Sequence, residues 1–124
     1  MEDKKFNEEL ITAIPEAKER YLKEVEMWDG EEPGSTIIVE SCVMPIVYEA
    51  LDGDISKKLI VERFLDWMEE IISKGDKEEK NIILIAVFEK MMQENKINQI
   101  KEYFKEKTKE YFAYAEQILT NIKT

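Results

Sequence analysis

The sequence has no histidine and only one cysteine, Cys42. Histidine is the commonest general base and the commonest transition-metal ligand, and a zinc site made of thiolates needs several cysteines. Without histidine, Cys42 also lacks the usual activating base of a nucleophile, so we interpret it as a structural residue. These absences predict a protein that is not an enzyme and that needs no cofactor and no metal.

Long apolar runs are also missing. No stretch approaches the roughly 18 apolar residues that cross a bilayer. The first residues, Met1 to Lys5, lack the hydrophobic segment of a signal peptide. A single cysteine cannot form an internal disulfide, which is typical of a reducing compartment. We therefore expect a cytoplasmic protein that does not contact a membrane.

Glycine and proline are scarce, with four glycines and three prolines among 124 residues. No glycine-rich phosphate-binding loop is present. Much of the remainder is Glu, Lys, Leu, Ile and Met, which lose little side-chain freedom in a helix. Because this length suits one hydrophobic core, we predict a single all-α domain over residues 1–124. We expect a helical bundle of about five to seven helices, with a short stacked-helix (HEAT-like) arrangement as the alternative.

The formal net charge is −10, and it is unevenly spread along the chain. Residues 1–36 carry −6, residues 37–94 carry −6 and residues 95–124 carry +2. An acidic chain repels phosphate backbones and attracts basic proteins, so we expect no nucleic acid among its partners. Two interpretations of the acids remain open. They keep helix faces solvated, or they form a docking surface for a basic protein.

Hydrophobic spacing predicts two helices before the first loop. The first has apolar residues at helical spacing: Phe6, Leu10, Ile11 and Ile14. Pro15 ends this helix and suits the first turn of the next. The second helix has its own apolar face: Ala17, Tyr21, Val25 and Trp28. After a loop over residues 29–34 the pattern is mixed: β-branched residues 37–39 leave extended backbone open, and we predict a helix from about Ser41 to Leu51.

The second half of the chain contains the most regular helical patterns. Asp52-Gly53-Asp54 predicts a stop and a new N-cap. The helix that follows has a broad apolar face: Ile55, Leu59, Ile60, Phe64, Trp67, Met68, Ile71 and Ile72. Gly75 ends this helix, and Asp76 and Glu79 have the spacing of a capping box. Residues 82–92 are apolar on nearly every side, which predicts a central helix with no face in water.

The last quarter of the chain predicts either one long helix or two short ones. Its apolar residues recur at steps of three and four: Ile97, Ile100, Phe104, Tyr111, Ala115, Ile118 and Ile122. Thr108 interrupts the series, but no proline or glycine does. The pattern alone leaves the number of helices open.

Four carboxylates recur on the helix that ends at Gly75: Glu62, Asp66, Glu69 and Glu70. Helical spacing brings them to one face, where a hard cation would find oxygen ligands. A metal site in a helical bundle normally uses histidine as well, and this chain has none. We therefore prefer the interpretation that these side chains form a solvated face opposite the apolar one.

The loop after the second helix has the composition of a binding site. Binding residues are often found on loops held by rigid elements, and tryptophan anchors many interfaces. We predict that one aromatic and three acidic residues contact a protein partner: Trp28, Asp29, Glu31 and Glu32. The alternative, which the sequence supports equally, is that Trp28 closes the core while the acids cap the helix end.

Several short segments, in this order, resemble a known type of bacterial domain: Pro15-Glu16-Ala17, Tyr21, the acidic-aromatic stretch that ends in Pro33-Gly34, Arg63-Phe64-Leu65, and Asn81-Ile82 to Val87-Phe88-Glu89. Over residues 10–92 the chain resembles small acidic all-helical domains of immunity-protein type, from polymorphic-toxin and contact-dependent inhibition systems. Residues 36–39 and the lysine-rich tail after Asn95 depart from that pattern. The resemblance implies a non-enzymatic inhibitor that binds and occludes a cognate toxin domain, with no catalytic residues to carry over.

Two functions therefore stand as expectations. The first is an immunity protein that neutralises a basic toxin domain, since an acidic surface speeds encounter with a basic cleft. The second is a helical adaptor or scaffold module that binds another intracellular protein. A small enzyme that uses carboxylates alone is the least favoured class, and the sequence does not define the oligomeric state.

Overall fold

Proline separates the first two helices, as the sequence predicts. The computed structural model describes residues 1–53 and 57–123, and the side chains of these residues up to Thr120. Helix α1 is Asp3–Ala13, a 3₁₀ turn follows at Pro15–Ala17, and α2 is Lys18–Met27. Pro15 lacks the N–H that would continue α1, but its fixed φ suits the first position of the turn.

Helix α3 begins earlier than the sequence suggests. It consists of Ser35–Ile38, a π-helical segment Val39–Val43, and Met44–Leu51. The predicted helix start near Ser41 is wrong, and the extended backbone that the sequence left open at residues 37–39 is not formed. The buried positions of Ile38 and Val39 in the core outweigh the weak strand preference of β-branched residues. Pro45 cannot donate to the turn before it, which explains the change of helical register just ahead of it.

Helix α4, Lys58–Lys74, shows the predicted apolar face. Its buried residues follow the 3.6-residue period: Phe64, Leu65, Trp67, Met68, Ile71 and Ile72. Leu59, in the first turn, is exposed, contrary to the prediction. The helix ends at Gly75, where the backbone becomes extended, and the position favours glycine because a Cβ there would lie 2.4 Å from the carbonyl oxygen of Ile71. The predicted N-cap Asp54 and the apolar residue Ile55 lie outside the described residues.

Helix α5 consists of Lys77–Ile82, a π-helical segment Ile83–Glu89, and Lys90–Gln93. The predicted capping box is confirmed. The Glu79 N–H donates to the Asp76 carboxylate over 2.8 Å, and the Asp76 N–H donates to the Glu79 carboxylate over 3.1 Å. The prediction that no face of this helix meets water is wrong, because Ile85 is 42% exposed.

The last quarter of the chain forms two helices of very different length. Helix α6 is Ile97–Ile100, a 3₁₀ turn follows at Lys101–Tyr103, and α7 is Glu106–Lys123. Phe104 separates them because its backbone is extended while its ring is buried. The side chain of Ile122 lies outside the described residues.

The seven helices of the described ranges surround one hydrophobic core, and those ranges contain no strand. The prediction of a single all-α domain is confirmed. Helix α4 packs against α3 and α7, and α5 packs against α7 and the π-helical segment of α3. Helix α2 stays at the periphery and buries none of its residues. Over the described residues, no helix combines the length and hydropathy that crossing a bilayer requires.

Candidate protein-binding site

Backbone groups close the end of α2, and the acids next to it do not. The N–H of Trp28 donates to the Glu24 carbonyl over 3.1 Å, and the N–H of Gly30 donates to the Val25 carbonyl over 2.9 Å. Asp29 and Gly30 have φ values of 55° and 83°, the left-handed conformation that commonly ends a helix. The carboxylates after Trp28 are therefore not needed as caps.

Glu32 points inward and fixes the loop. The Tyr21 hydroxyl donates to both oxygens of its carboxylate, at 2.8 Å for Oε2, and the Asn7 amide donates to Oε1 over 3.2 Å. The same amide donates to the carbonyl of Pro33 over 3.1 Å. Burial, followed by the hydrogen bond to Glu32 and its charge, raises the pKa of Tyr21 well above its ordinary value. Tyr21 therefore stays protonated and available as a donor.

A second pair of hydrogen bonds fixes the far end of the loop. Both the backbone N–H and the hydroxyl of Ser35 donate to the Asp3 carboxylate, over 3.0 Å and 2.7 Å. Asp3 begins α1 and Ser35 begins α3. The loop is thus tied to α1 at Glu32, Pro33 and Ser35, which makes it a rigid platform.

The end of α2 and the start of the loop project from this platform. We call five residues the binding tip: Glu26, Met27, Trp28, Asp29 and Glu31. Met27 is 75% exposed and Trp28 is 43% exposed, so Trp28 does not close the core. Residues 24–34 contain five acids and no Lys or Arg. No ion pair involves an acid of the binding tip within the described part of the chain.

The structure thus divides the four partner-binding residues that the sequence predicts. Trp28, Asp29 and Glu31 lie together in solvent, whereas Glu32 contacts the protein's own Tyr21 and Asn7. Asn7, which holds Glu32 and is fully buried, is not among the residues predicted from the sequence. Helical spacing could have identified it, because Asn7 lies two turns before Ile14 and therefore on the apolar face of α1.

The carboxylates of α4 are not simply a solvated face. Glu69 accepts hydrogen bonds from the N–H groups of Lys107 and Thr108, at 3.0 Å and 2.9 Å, and from the Thr108 hydroxyl at 2.8 Å. Asp66 pairs with Lys105 in the same region. Glu69 therefore caps the N-terminus of α7, a role that spacing along α4 does not predict. Within the described residues, no group of three metal-ligating side chains is placed to hold an ion.

We expect the stability of the protein to depend on Glu69 in acid. Burial alone would raise the pKa of its carboxyl, but the hydrogen bonds from Lys107 and Thr108 and the charge of Lys105 lower it below the ordinary 4.5. Such a group stabilises the fold above its unfolded-state pKa and loses that contribution as the pH falls through its folded-state pKa. Urea unfolding should therefore show a gap between wild type and Glu69→Gln that shrinks below about pH 4.5. A gap that stays constant in acid would contradict this.

Cys42 is enclosed in the core, which supports its interpretation as a structural residue. Its side chain lies in the π-helical segment of α3. Burial, aided by the charge of Glu24 and opposed by that of Arg20, raises the pKa of its thiol to about 11. The group is therefore a neutral thiol near pH 7, which makes it a poor nucleophile.

Comparison with known proteins adds one relationship. A family model matches residues 7–121, and its description is "Domain of unknown function (DUF7674)". No curated protein and no solved structure matches the chain. The description mentions neither toxins nor immunity, so the family match gives no support to that part of the resemblance. Because the match spans most of the sequence, the chain belongs to the family described as Domain of unknown function (DUF7674).

Proposed function

We propose that this protein works without catalysis, by binding a basic protein through the binding tip, as a cytoplasmic inhibitor of immunity type. One observation carries the proposal. Met27 and Trp28 are exposed side by side among acids that have no ion-pair partner in the described part of the chain. Adjacent exposed apolar side chains that are rimmed by polar residues are typical of interaction sites.

The chemistry of the binding tip suits a basic protein partner. Tryptophan supplies a large contact area at small entropic loss, and methionine adapts its shape to an irregular surface. The acids around them complement Lys and Arg on the partner and steer it during encounter. Hydrogen bonds to α1 hold the loop residues Glu32, Pro33 and Ser35, so this part of the loop needs little ordering on binding.

Reversing charge at the binding tip should slow association. We expect the double variant Glu26→Lys, Glu31→Lys to reduce the association rate about tenfold at low salt, with a smaller effect on dissociation. The partner is first isolated from the source cell in a pull-down, as a protein that binds to immobilised wild type and does not bind to immobilised Trp28→Ala. Association is then measured with that purified partner over a series of salt concentrations. The wild-type rate should fall as salt rises.

The matched control changes the net charge equally at another place. Glu102 and Glu116 are exposed and lie far along the chain from the binding tip, so Glu102→Lys, Glu116→Lys is the comparison. Glu32 is left unchanged, because its reversal would break the hydrogen bonds from Tyr21 and Asn7. Equal slowing by both double variants would mean that net charge matters and the binding tip does not. Unchanged association of the tip variant would place the interface elsewhere.

The adaptor function remains the second candidate, favoured by the same exposed binding tip. The two functions differ in what binding does to the partner. An inhibitor of immunity type abolishes the toxic activity of its partner at equal stoichiometry, whereas an adaptor leaves the partner's own activity intact. An activity assay of the isolated partner, with and without this protein, separates them. A toxin gene immediately upstream in the genome would add support for immunity.

A further inference from the structure

Helix α2 is the least embedded of the long helices in the described ranges. None of its residues is buried, while every other helix of ten or more residues contributes several to the core. It packs on the 3₁₀ turn Pro15–Ala17 and on the π-helical segment Val39–Val43. Tyr21 and Val25 are half-buried, and Tyr21 packs against the core. A helix with so little buried apolar area opens at a lower free energy than the core does.

A small polar cluster ties α2 to its neighbours. In the described part of the chain, Tyr21 makes the side-chain hydrogen bonds that join α2 to another element, and their acceptor is Glu32. Glu32 is itself held by Asn7 of α1. The donor therefore lies on α2, and the acceptor lies on the platform that α1 fixes. Breaking this contact would free α2 without disturbing the platform.

The π-helical segment that α2 covers contains the single cysteine. Cys42 is 1% exposed, and the charges that act on its thiol are those of Glu24 and Arg20, both on α2. Val39 and Val43, in the same segment, are also fully buried. Because α2 packs on this segment and carries the charges that act on the thiol, we expect movement of α2 to uncover Cys42.

We propose that α2 is a hinged strap, held closed by the Tyr21–Glu32 contact, which lifts as a unit to uncover the segment Val39–Val43 beneath it. The hinge on one side is the turn Pro15–Ala17, and on the other it is the left-handed pair Asp29 and Gly30. Met27 and Trp28 move with the strap, so opening also changes the position of the binding tip.

Alkylation of Cys42 tests the strap, because the single thiol reports when the segment beneath α2 is uncovered. Iodoacetamide is added to the folded full-length protein at a fixed pH, and the modified fraction is followed by mass spectrometry. Tyr21→Phe keeps the ring but removes the hydroxyl that Glu32 accepts. We expect it to raise the alkylation rate about tenfold. Tyr114→Phe removes an exposed hydroxyl from α7 and should leave the rate unchanged.

Two further measurements distinguish strap opening from unfolding. Low urea should hardly affect the alkylation rate, because local opening exposes little surface. In wild-type protein, amide hydrogens of Lys18–Met27 should exchange well before those of Lys58–Lys74. The proposal is overturned if Tyr21→Phe leaves the alkylation rate unchanged, if the rate follows urea as steeply as global unfolding does, or if both helices exchange together.

Discussion

Replacing Phe88 by alanine is expected to lower the free energy of unfolding by about 3–5 kcal/mol. The ring has no exposed surface and meets aromatic rings on several sides. Its centroid lies 5.0 Å from that of Phe112, 5.6 Å from that of Phe104 and 6.0 Å from that of Tyr111. Alanine would leave a cavity where α5 contacts α7, and close packing prevents the surrounding rings from filling it fully.

Urea unfolding followed by circular dichroism measures this effect. Tyr114→Ala is the control, since that ring lies on the same aromatic side of α7 but is largely exposed. Its loss should change the free energy of unfolding by less than about 0.5 kcal/mol. The total free energy of unfolding of such a domain is about 5–15 kcal/mol, so Phe88→Ala removes a large share of it. Similar losses from the two variants would show that Phe88 is not enclosed.

Replacing Glu69 by alanine is expected to lower the free energy of unfolding by about 2 kcal/mol, the largest expected loss after that of Phe88→Ala. Its carboxylate accepts hydrogen bonds from two N–H groups at the start of α7 and from the Thr108 hydroxyl. Thr108 is buried, so its hydroxyl would be left without this acceptor. The negative charge also complements the positive end of the helix dipole, which alanine removes.

Glu70→Ala provides a matched control for this loss. Glu70 is the next residue on α4, carries the same charge, and pairs with Lys74 at 3.0 Å on the exposed side. An exposed pair at this spacing contributes only about 0.3–0.5 kcal/mol. Thermal unfolding at neutral pH should therefore separate the variants clearly. Equal stability would mean that α7 does not need Glu69 as its cap.

The sequence predicts a helix correctly where its hydrophobic spacing and its capping residues indicate the same element. The apolar face of α4 and the capping box of Asp76 and Glu79 depend on spacing within one helix, which the sequence displays directly. The start of α3 could not be predicted in this way. Local preference at residues 37–39 favours extended backbone, and burial against distant helices overrides it. The prediction that Ile85 is buried is wrong for a related reason, because composition does not show which side of α5 packs against a neighbouring helix.

The sequence predicts where the candidate site lies and that it is acidic, but it does not predict which of its side chains are exposed. The sequence correctly indicates a turn after α2 with an aromatic side chain among acids. It cannot separate Glu31 from Glu32, because the two side chains are chemically the same and adjacent. Their difference depends on where Tyr21 and Asn7 lie once the helices have packed. The clamp from Glu69 to α7 joins residues 38 and 39 positions apart, which no local pattern can show.

The division between Glu31 and Glu32 has a consequence for how this family diverges. Position 32 is bound to the fold through positions 7 and 21, so a substitution at one of the three should be accompanied by compensating changes at the other two. Glu31, Met27 and Trp28 are exposed, and their side chains make no hydrogen bond or ion pair with the described residues. Relatives with different partners should therefore keep an acid–tyrosine–asparagine trio at 32, 21 and 7 while the binding tip varies rapidly, so that neighbouring codons evolve at unequal rates.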